Sequence, residues 1–249
     1  DGTGYASDVA AGIVWAVDHG ADVINLSLGA PRSISVVEDA VNYALSHDVV
    51  VVAAAGNTYH LDNHPIYPAM YPGVIAVAAV GAHDEHAYYS TTGDFVDVAA
   101  PGGNSEGSRR VFSIYGDGLS RGYAWGEGTS FAAPHVAGMA ALLRSVQPSL
   151  SQLRVAEIIT STAQDRGAPG WDPEYGWGRV DVFQALIRAA EASLRVEPAA
   201  SAVSQDTIFR LNVVLSSQFL PVESANVILH FDPAVLQVVD ASGQPANTI

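Results

Sequence analysis

The chain has no cysteine and no lysine, and each absence removes a class of chemistry. Without cysteine there is no thiol nucleophile, no disulfide and no thiolate-bound zinc. Without lysine the 11 cations are all arginine, set against 26 acidic residues, so that 249 residues carry a net charge of −15. A chain this acidic is poorly suited to nucleic acid, which needs clustered cations, and to anionic membranes. No run of about 20 apolar residues is present, so no helical membrane insertion is expected. Neither a signal-peptide pattern nor an initiator methionine begins the chain. Asp1-Gly2-Thr3-Gly4 reads as the interior of something longer, and the expectation is a fragment.

What is present is a large apolar share, 49% of residues. That suffices for one domain of about 200 residues and a smaller second one. The spacing of Val9, Ile13, Val14 and Val17 predicts a helix closed by Gly20. Val36 to Leu45 predicts a second, with Ser33 or Ser35 as cap. Between and after them lie short, mostly apolar runs: 23–28, 49–55, 74–80 and 95–98. Such runs are strands buried on both faces, and their alternation with helices predicts an α/β fold with a mostly parallel sheet. Two strand-like runs, 111–115 and 121–125, predict a hairpin. Further helices are expected to about Val146, over 151–161 and from Val182 to Ala192. Residues 165–180, rich in glycine and tryptophan, suit no regular element.

In open parallel sheets, functional groups gather where strands end. Ser27-Leu28-Gly29 follows the first strand, and an exposed backbone there could pair with an extended peptide. Gly56-Asn57 follows the second, and a side-chain amide there could donate to a developing oxyanion. The longest informative stretch is Glu127-Gly128-Thr129-Ser130-Phe131-Ala132-Ala133-Pro134-His135-Val136-Ala137-Gly138. A turn of small residues delivers Ser130 to the start of a slim apolar helix, with Thr129 as a candidate cap and Pro134 tolerated near the helix start. A serine there sits at the positive end of the helix dipole. Each feature alone is weak: capping serines, turn asparagines and strand ends are common.

Together and in this order they resemble the subtilisin-like (subtilase) serine protease family. Gly128 to Gly138 is similar to its serine block and Val50 to Asn57 to its oxyanion-asparagine block. Asp22 to Gly29 is similar to its substrate-binding strand, and Tyr67-Pro68-Ala69 with Tyr71-Pro72 and Val74 to Val77 to the segment beyond its specificity pocket. The resemblance covers about residues 1–193 and implies a three-layer subtilisin-like fold acting on polypeptide substrates, in an extracellular protein. It implies Ser130 as nucleophile, with the Asn57 side chain and the Ser130 N–H as oxyanion hole. Ser27, Leu28 and Gly29 then line one side of the cleft and Gly2 and Gly4 the other. Ala54, Ala55, Gly56 and Ile66 form the pocket for the residue before the scissile bond, where Ile66 favours a medium apolar side chain. The family also implies calcium on the carbonyls of Ala69, Tyr71 and Val74, with Asp97 nearby, because hard oxygen ligands suit that ion.

One departure stands against the match. A nucleophilic serine needs a base and a carboxylate to orient it, and the family's Asp and His blocks are missing from these residues. His135 belongs to the serine block and reads as structural. His19, His47, His60, His64, His83, His86 and His230 match no catalytic motif. His60, Asp62 and His64 have metal-compatible spacing, but a polar loop explains them as well. The 249 residues alone are therefore expected to have at most residual hydrolysis. The alternatives are a non-catalytic binding protein on the same fold and an adhesion or scaffold protein.

From about Arg195 the pattern changes to period two, through Ile208, Leu211, Val213, Leu215, Val227, Leu229, Phe231, Leu236 and Val238. This predicts antiparallel strands. Residues 196–249 resemble the first half of a cohesin-like β-sandwich, which implies a dockerin-like partner; a generic immunoglobulin-like spacer fits equally.

Overall fold

The computed structural model describes residues 4–107, 109–116, 121–190, 193–197 and 212–216. The chain divides into two compact units, Asp1–Ala189 and Ala190–Ile249.

The first unit is built on four parallel strands, β1 (Val23–Leu26), β2 (Val50–Ala54), β3 (Ile75–Val80) and β4 (Val98–Pro101), in that spatial order. Every residue of β2 and β3 is buried, because helices cover both faces. Val50, Val52, Ala54, Val77, Ala79 and Val98 point to one side, and meet α3 (Thr129–Val146) and α4 (Gln152–Ser161). Ile24, Leu26, Val51, Ala53 and Ala76 point to the other, and meet α1 (Ala6–Asp18) and α2 (Ser35–Ser46). This period-two division of continuously apolar strands is what a doubly covered parallel sheet requires. The small side chains Ala132, Ala133 and Ala140 let α3 lie close to the sheet with Met139 and Leu143 fully enclosed. Each of those two larger side chains contributes on the order of 1.5–3 kcal/mol by leaving water. A helix α5 (Val182–Ala190) closes the unit.

The sheet carries its functional groups at one edge. β1 pairs with β2 so that Leu26 lies opposite Ala53, and β2 with β3 so that Ala54 lies opposite Val77. Ser27, Asn57 and the loops after β3 and β4 therefore emerge on the same side. Between β4 and α3, β5 (Val111–Gly116) and β6 (Arg121–Gly126) form the expected hairpin, with Phe112 opposite Trp125.

Three local expectations change. The fourth strand begins where the apolar run ends. Phe95 lies in a turn in which the Val96 N–H donates to Gly93 O, and the ladder is formed by Val98, Ala99 and Ala100, whose alanines are weak strand signals. Helix α2 is preceded by Ile34 without a side-chain cap, and the Ser33 hydroxyl donates to Glu38 Oε2 instead (3.0 Å). Thr129 is the first residue of α3 rather than its cap, because its hydroxyl is engaged elsewhere.

In the second unit β7 (Ser193–Glu197) pairs antiparallel with β8 (Asn212–Ser216), Leu194 opposite Leu215. The remaining residues of 196–249, on which the β-sandwich expectation falls, lie outside the described residues.

Candidate active site

The turn before α3 is fixed from three directions. Gly128 has φ 145°, a conformation open to glycine. A Cβ there would stand 3.3 Å from Asn57 Nδ2. Its N–H is shared between Gly102 O (3.0 Å) and the Tyr89 hydroxyl (2.8 Å). From the second direction, Asn57 Oδ1 accepts from both the Thr129 N–H and the Thr129 hydroxyl, each at 2.9 Å, while that hydroxyl accepts from the Gly56 N–H at 3.1 Å. From the third, the Ser27 hydroxyl donates to Ser130 O (2.9 Å) and the Ser130 hydroxyl to Ser27 O (3.3 Å). Asn25 Nδ2 completes the chain on Ser27 Oγ (2.9 Å).

This lattice sets the chemistry. With Oδ1 of Asn57 held by Thr129, its NH₂ group is the end left to face the cleft, and the residue is exposed there. The N–H groups in the first turn of α3 lack intrahelical acceptors. That of Thr129 is taken by Asn57 and that of Phe131 by Gly128 O (2.9 Å), and the Ser130 N–H lies between them. A half-buried hydroxyl, a side-chain amide and a helix-terminal N–H thus converge where negative charge is stabilised.

The cleft lies beside it. Gly4, Ser27, Leu28 and Gly29 line one cavity of ≈ 440 Å³, together with Tyr67 and Tyr71. Gly2 lies outside the described residues. Ala30 and Tyr67 exchange backbone bonds (2.9 Å each way), which brings the neighbouring Ile66 against Gly29. A Cβ on Gly29 would fall 2.1 Å from Ile66 Cγ2, and one on Gly56 2.6 Å from Ile66 Cγ1. Ile66 therefore fills the gap between the two glycines. Ala54 and Ala55 are buried, and none of Ala54, Ala55, Gly56 and Ile66 lines that cavity.

Other expected ligands are more scattered. Ala69, Tyr71 and Val74 are buried. The Tyr71 carbonyl accepts from the Val74 N–H (3.2 Å), and Asp97 Oδ2 accepts from the Ala76 N–H (2.8 Å). Burial pushes the Asp97 carboxyl up to about 6. Among the described residues no group of three or more His, Asp and Glu could hold a metal. His64 pairs with Asp62, while His60 lies beside the Tyr88 ring (5.4 Å between centroids). None of the described histidines is bonded to Ser130; His135 Nδ1 donates to Phe131 O (2.8 Å). His230 lies outside the described residues.

Sequence reasoning missed two members of the lattice. Thr129 was visible only as a cap, and Tyr89 carried no signal: its neighbours Tyr88 and Ser90 suggest nothing about where a hydroxyl 39 residues from Gly128 will point.

A model of the Subtilase family matches residues 1–178. The chain is 35% identical over 233 residues to the minor extracellular protease Epr of Bacillus subtilis, covering 92% of this chain and 34% of that protein. It is 43% identical over 185 residues to thermitase of Thermoactinomyces vulgaris, covering 74% of this chain and 61% of that one. Among solved structures, fervidolysin of Fervidobacterium pennivorans, a keratinolytic enzyme related to subtilisin, superposes with a TM-score of 0.62 at 35% identity, over 72% of this chain and 29% of its own. A protease of Pseudoalteromonas arctica superposes with a TM-score of 0.66 at 38% identity, over 75% and 59%. The chain spans between 29% and 61% of the length of these relatives.

Proposed function

The chain belongs to the subtilase family, and from that premise we propose that it carries the nucleophile, oxyanion hole and substrate strand of a serine endopeptidase. The observation that carries the reading is the lattice joining Ser130, Thr129, Asn57 and Ser27. Ser130 Oγ attacks the scissile carbonyl, and its proton passes to a base. The carbonyl oxygen, now negative, is met by Asn57 Nδ2 and the Ser130 N–H, which the fold holds in place before the charge develops. Collapse of the tetrahedral intermediate expels the amine, which takes that proton from the base, and leaves an acyl-enzyme on Ser130; water then hydrolyses it to the acid and restores the Ser130 hydroxyl. The base and its orienting carboxylate come from residues of a longer protein outside this chain. The longer span of the relatives supports this.

The substrate backbone lies along Ser27-Leu28-Gly29, with Gly4 on its other side. Ile66 makes the pocket before the scissile bond shallow, so that an alanine-sized side chain fits better than the medium one its chemical type suggested.

The test is a fluorophosphonate probe on the full-length protein that carries this chain. Labelling at Ser130 that disappears in Ser130→Ala is the expected result. A folded full-length protein that takes up no probe would overturn the reading in favour of a non-catalytic binding protein.

Calcium is a secondary proposal. Burial disfavours the charge on Asp97, which accepts one N–H bond; a hard cation held with the carbonyls of Ala69, Tyr71 and Val74 would offset that cost by keeping the carboxylate ionised. That ion would supply charge neutralisation and rigidity rather than chemistry. An extracellular location and a dockerin-like partner for residues 196–249 complete the proposal; among the described residues no helix is long and apolar enough to cross a membrane.

A further inference from the structure

We infer that Tyr89 is a positioning residue for the nucleophile, acting through the peptide before Thr129; this rests on the acyl-transfer reading above. Tyr89 is 3% exposed, and its ring packs in the core between the sheet and α3. A phenol that deep needs a reason to keep its hydroxyl. Here the hydroxyl reaches across to the turn. It accepts from the Gly128 N–H (2.8 Å) and its proton is shared between Gly103 O (2.6 Å) and Gly102 O (2.9 Å).

The geometry makes that contact a brace on Gly128. The residue has φ 145° and ψ 157°, and its own torsional freedom would leave the turn undetermined. Gly102 and Gly128 stand too close for any side chain: a Cβ on Gly102 would lie 2.8 Å from Gly128 O and 3.1 Å from the Tyr89 hydroxyl. Two backbones without side chains are thus joined by one shared N–H and one phenol. The next peptide carries the Thr129 N–H to Asn57 Oδ1, and the one after that carries the Ser130 N–H. A shift at Gly128 is therefore delivered to both oxyanion donors. Phenylalanine at this position would keep the ring in its pocket and leave the Gly128 N–H with Gly102 O alone. The Gly128 N–H keeps a partner, whereas Gly103 O loses the phenol as donor, so the variant also loses stability, and placement is read from kcat and boronate affinity at a temperature where the variant is folded.

The hydroxyl contacts no reacting atom, so its removal should act on the transition state and not on substrate binding. Misplacement by a fraction of an ångström to about 1 Å lowers rates by up to about 100-fold. In the full-length protein, Tyr89→Phe is expected to lower kcat about 10- to 100-fold with KM within about twofold. Affinity for a peptide boronate, which mimics the tetrahedral intermediate, should fall in parallel, while affinity for a non-cleavable peptide of the same sequence stays put. Wild-type kcat and boronate affinity in the variant would overturn the proposal, as would a change confined to KM. Tyr89→Leu replaces the variant if Tyr89→Phe does not fold; failure of both assigns the hydroxyl to folding and equally overturns it. A wild-type protein that neither labels nor turns over peptide sinks the acyl-transfer reading itself, and this inference with it.

Discussion

The two sides of the candidate site are held by different forces. On the nucleophile side, Gly128, Thr129 and Ser130 are pinned by directional bonds of 2.8 to 3.3 Å from Tyr89, Asn57 and Ser27. On the substrate side, Gly29 and Gly56 are defined by what they lack, since the space a side chain would occupy belongs to Ile66. Hydrogen bonds fix angles and so suit a group that must meet a transition state, whereas packing fixes volumes and so suits a group that must choose a side chain. Changes on the first side should alter kcat, and changes on the second should alter which substrate is cut.

Four substitutions in the full-length protein would break or sharpen that contrast. Ser130→Ala should have the largest effect, a fall in kcat of about 10⁴-fold or more with the fold intact by circular dichroism. Asn57→Ala should lower kcat by roughly 10²–10³ with little change in KM, because it also removes the acceptor that orients Thr129; an effect mainly on KM would place the amide in substrate binding instead. Ile66→Ala should reverse preference, not activity: the ratio of kcat/KM for phenylalanine over alanine before the scissile bond should rise by about 10- to 200-fold. An unchanged ratio would remove Ile66 from the pocket.

The smallest effect belongs to Asp97 and is read in stability. Its carboxyl is pushed up to about 6 in the fold, against about 4 unfolded. The folded state therefore holds the proton more tightly, and this contribution is full below about pH 4 and lost as pH rises through about 6. Without calcium, the wild type should lose up to about 3 kcal/mol between those limits, and Asp97→Asn should remove most of that dependence. Calcium should raise the neutral-pH melting temperature of the wild type and not of the variant. An equal rise in both would place the ion elsewhere.

How far the site was readable follows from where its parts sit in the chain. Ser130, Asn57 and Ser27 each close or open a regular element, and the change from an apolar run to a small polar residue marks such places without any tertiary knowledge. Ala99-Ala100 was unreadable as the continuation of a strand from Val98 because alanine carries little preference for one, and Phe95, more strand-like by type, was drawn into a turn. Thr129 looked like a cap because a hydroxyl at a helix start ordinarily is one. Asn57, 72 residues away, was the partner that decided otherwise.

By itself the sequence determined the alternating layers and the strand ends bearing a serine, an amide and an open backbone. Those properties depend on neighbours within a few residues, through helix and strand periodicity and the freedom of glycine. Only the tertiary structure decided that Ile66 fills the gap between Gly29 and Gly56, that Thr129 orients Asn57 and that Tyr89 braces Gly128. Each of these joins distant segments, and the register of the parallel strands, β1 on β2 and β2 on β3, sets which atoms arrive within hydrogen-bond or van der Waals reach.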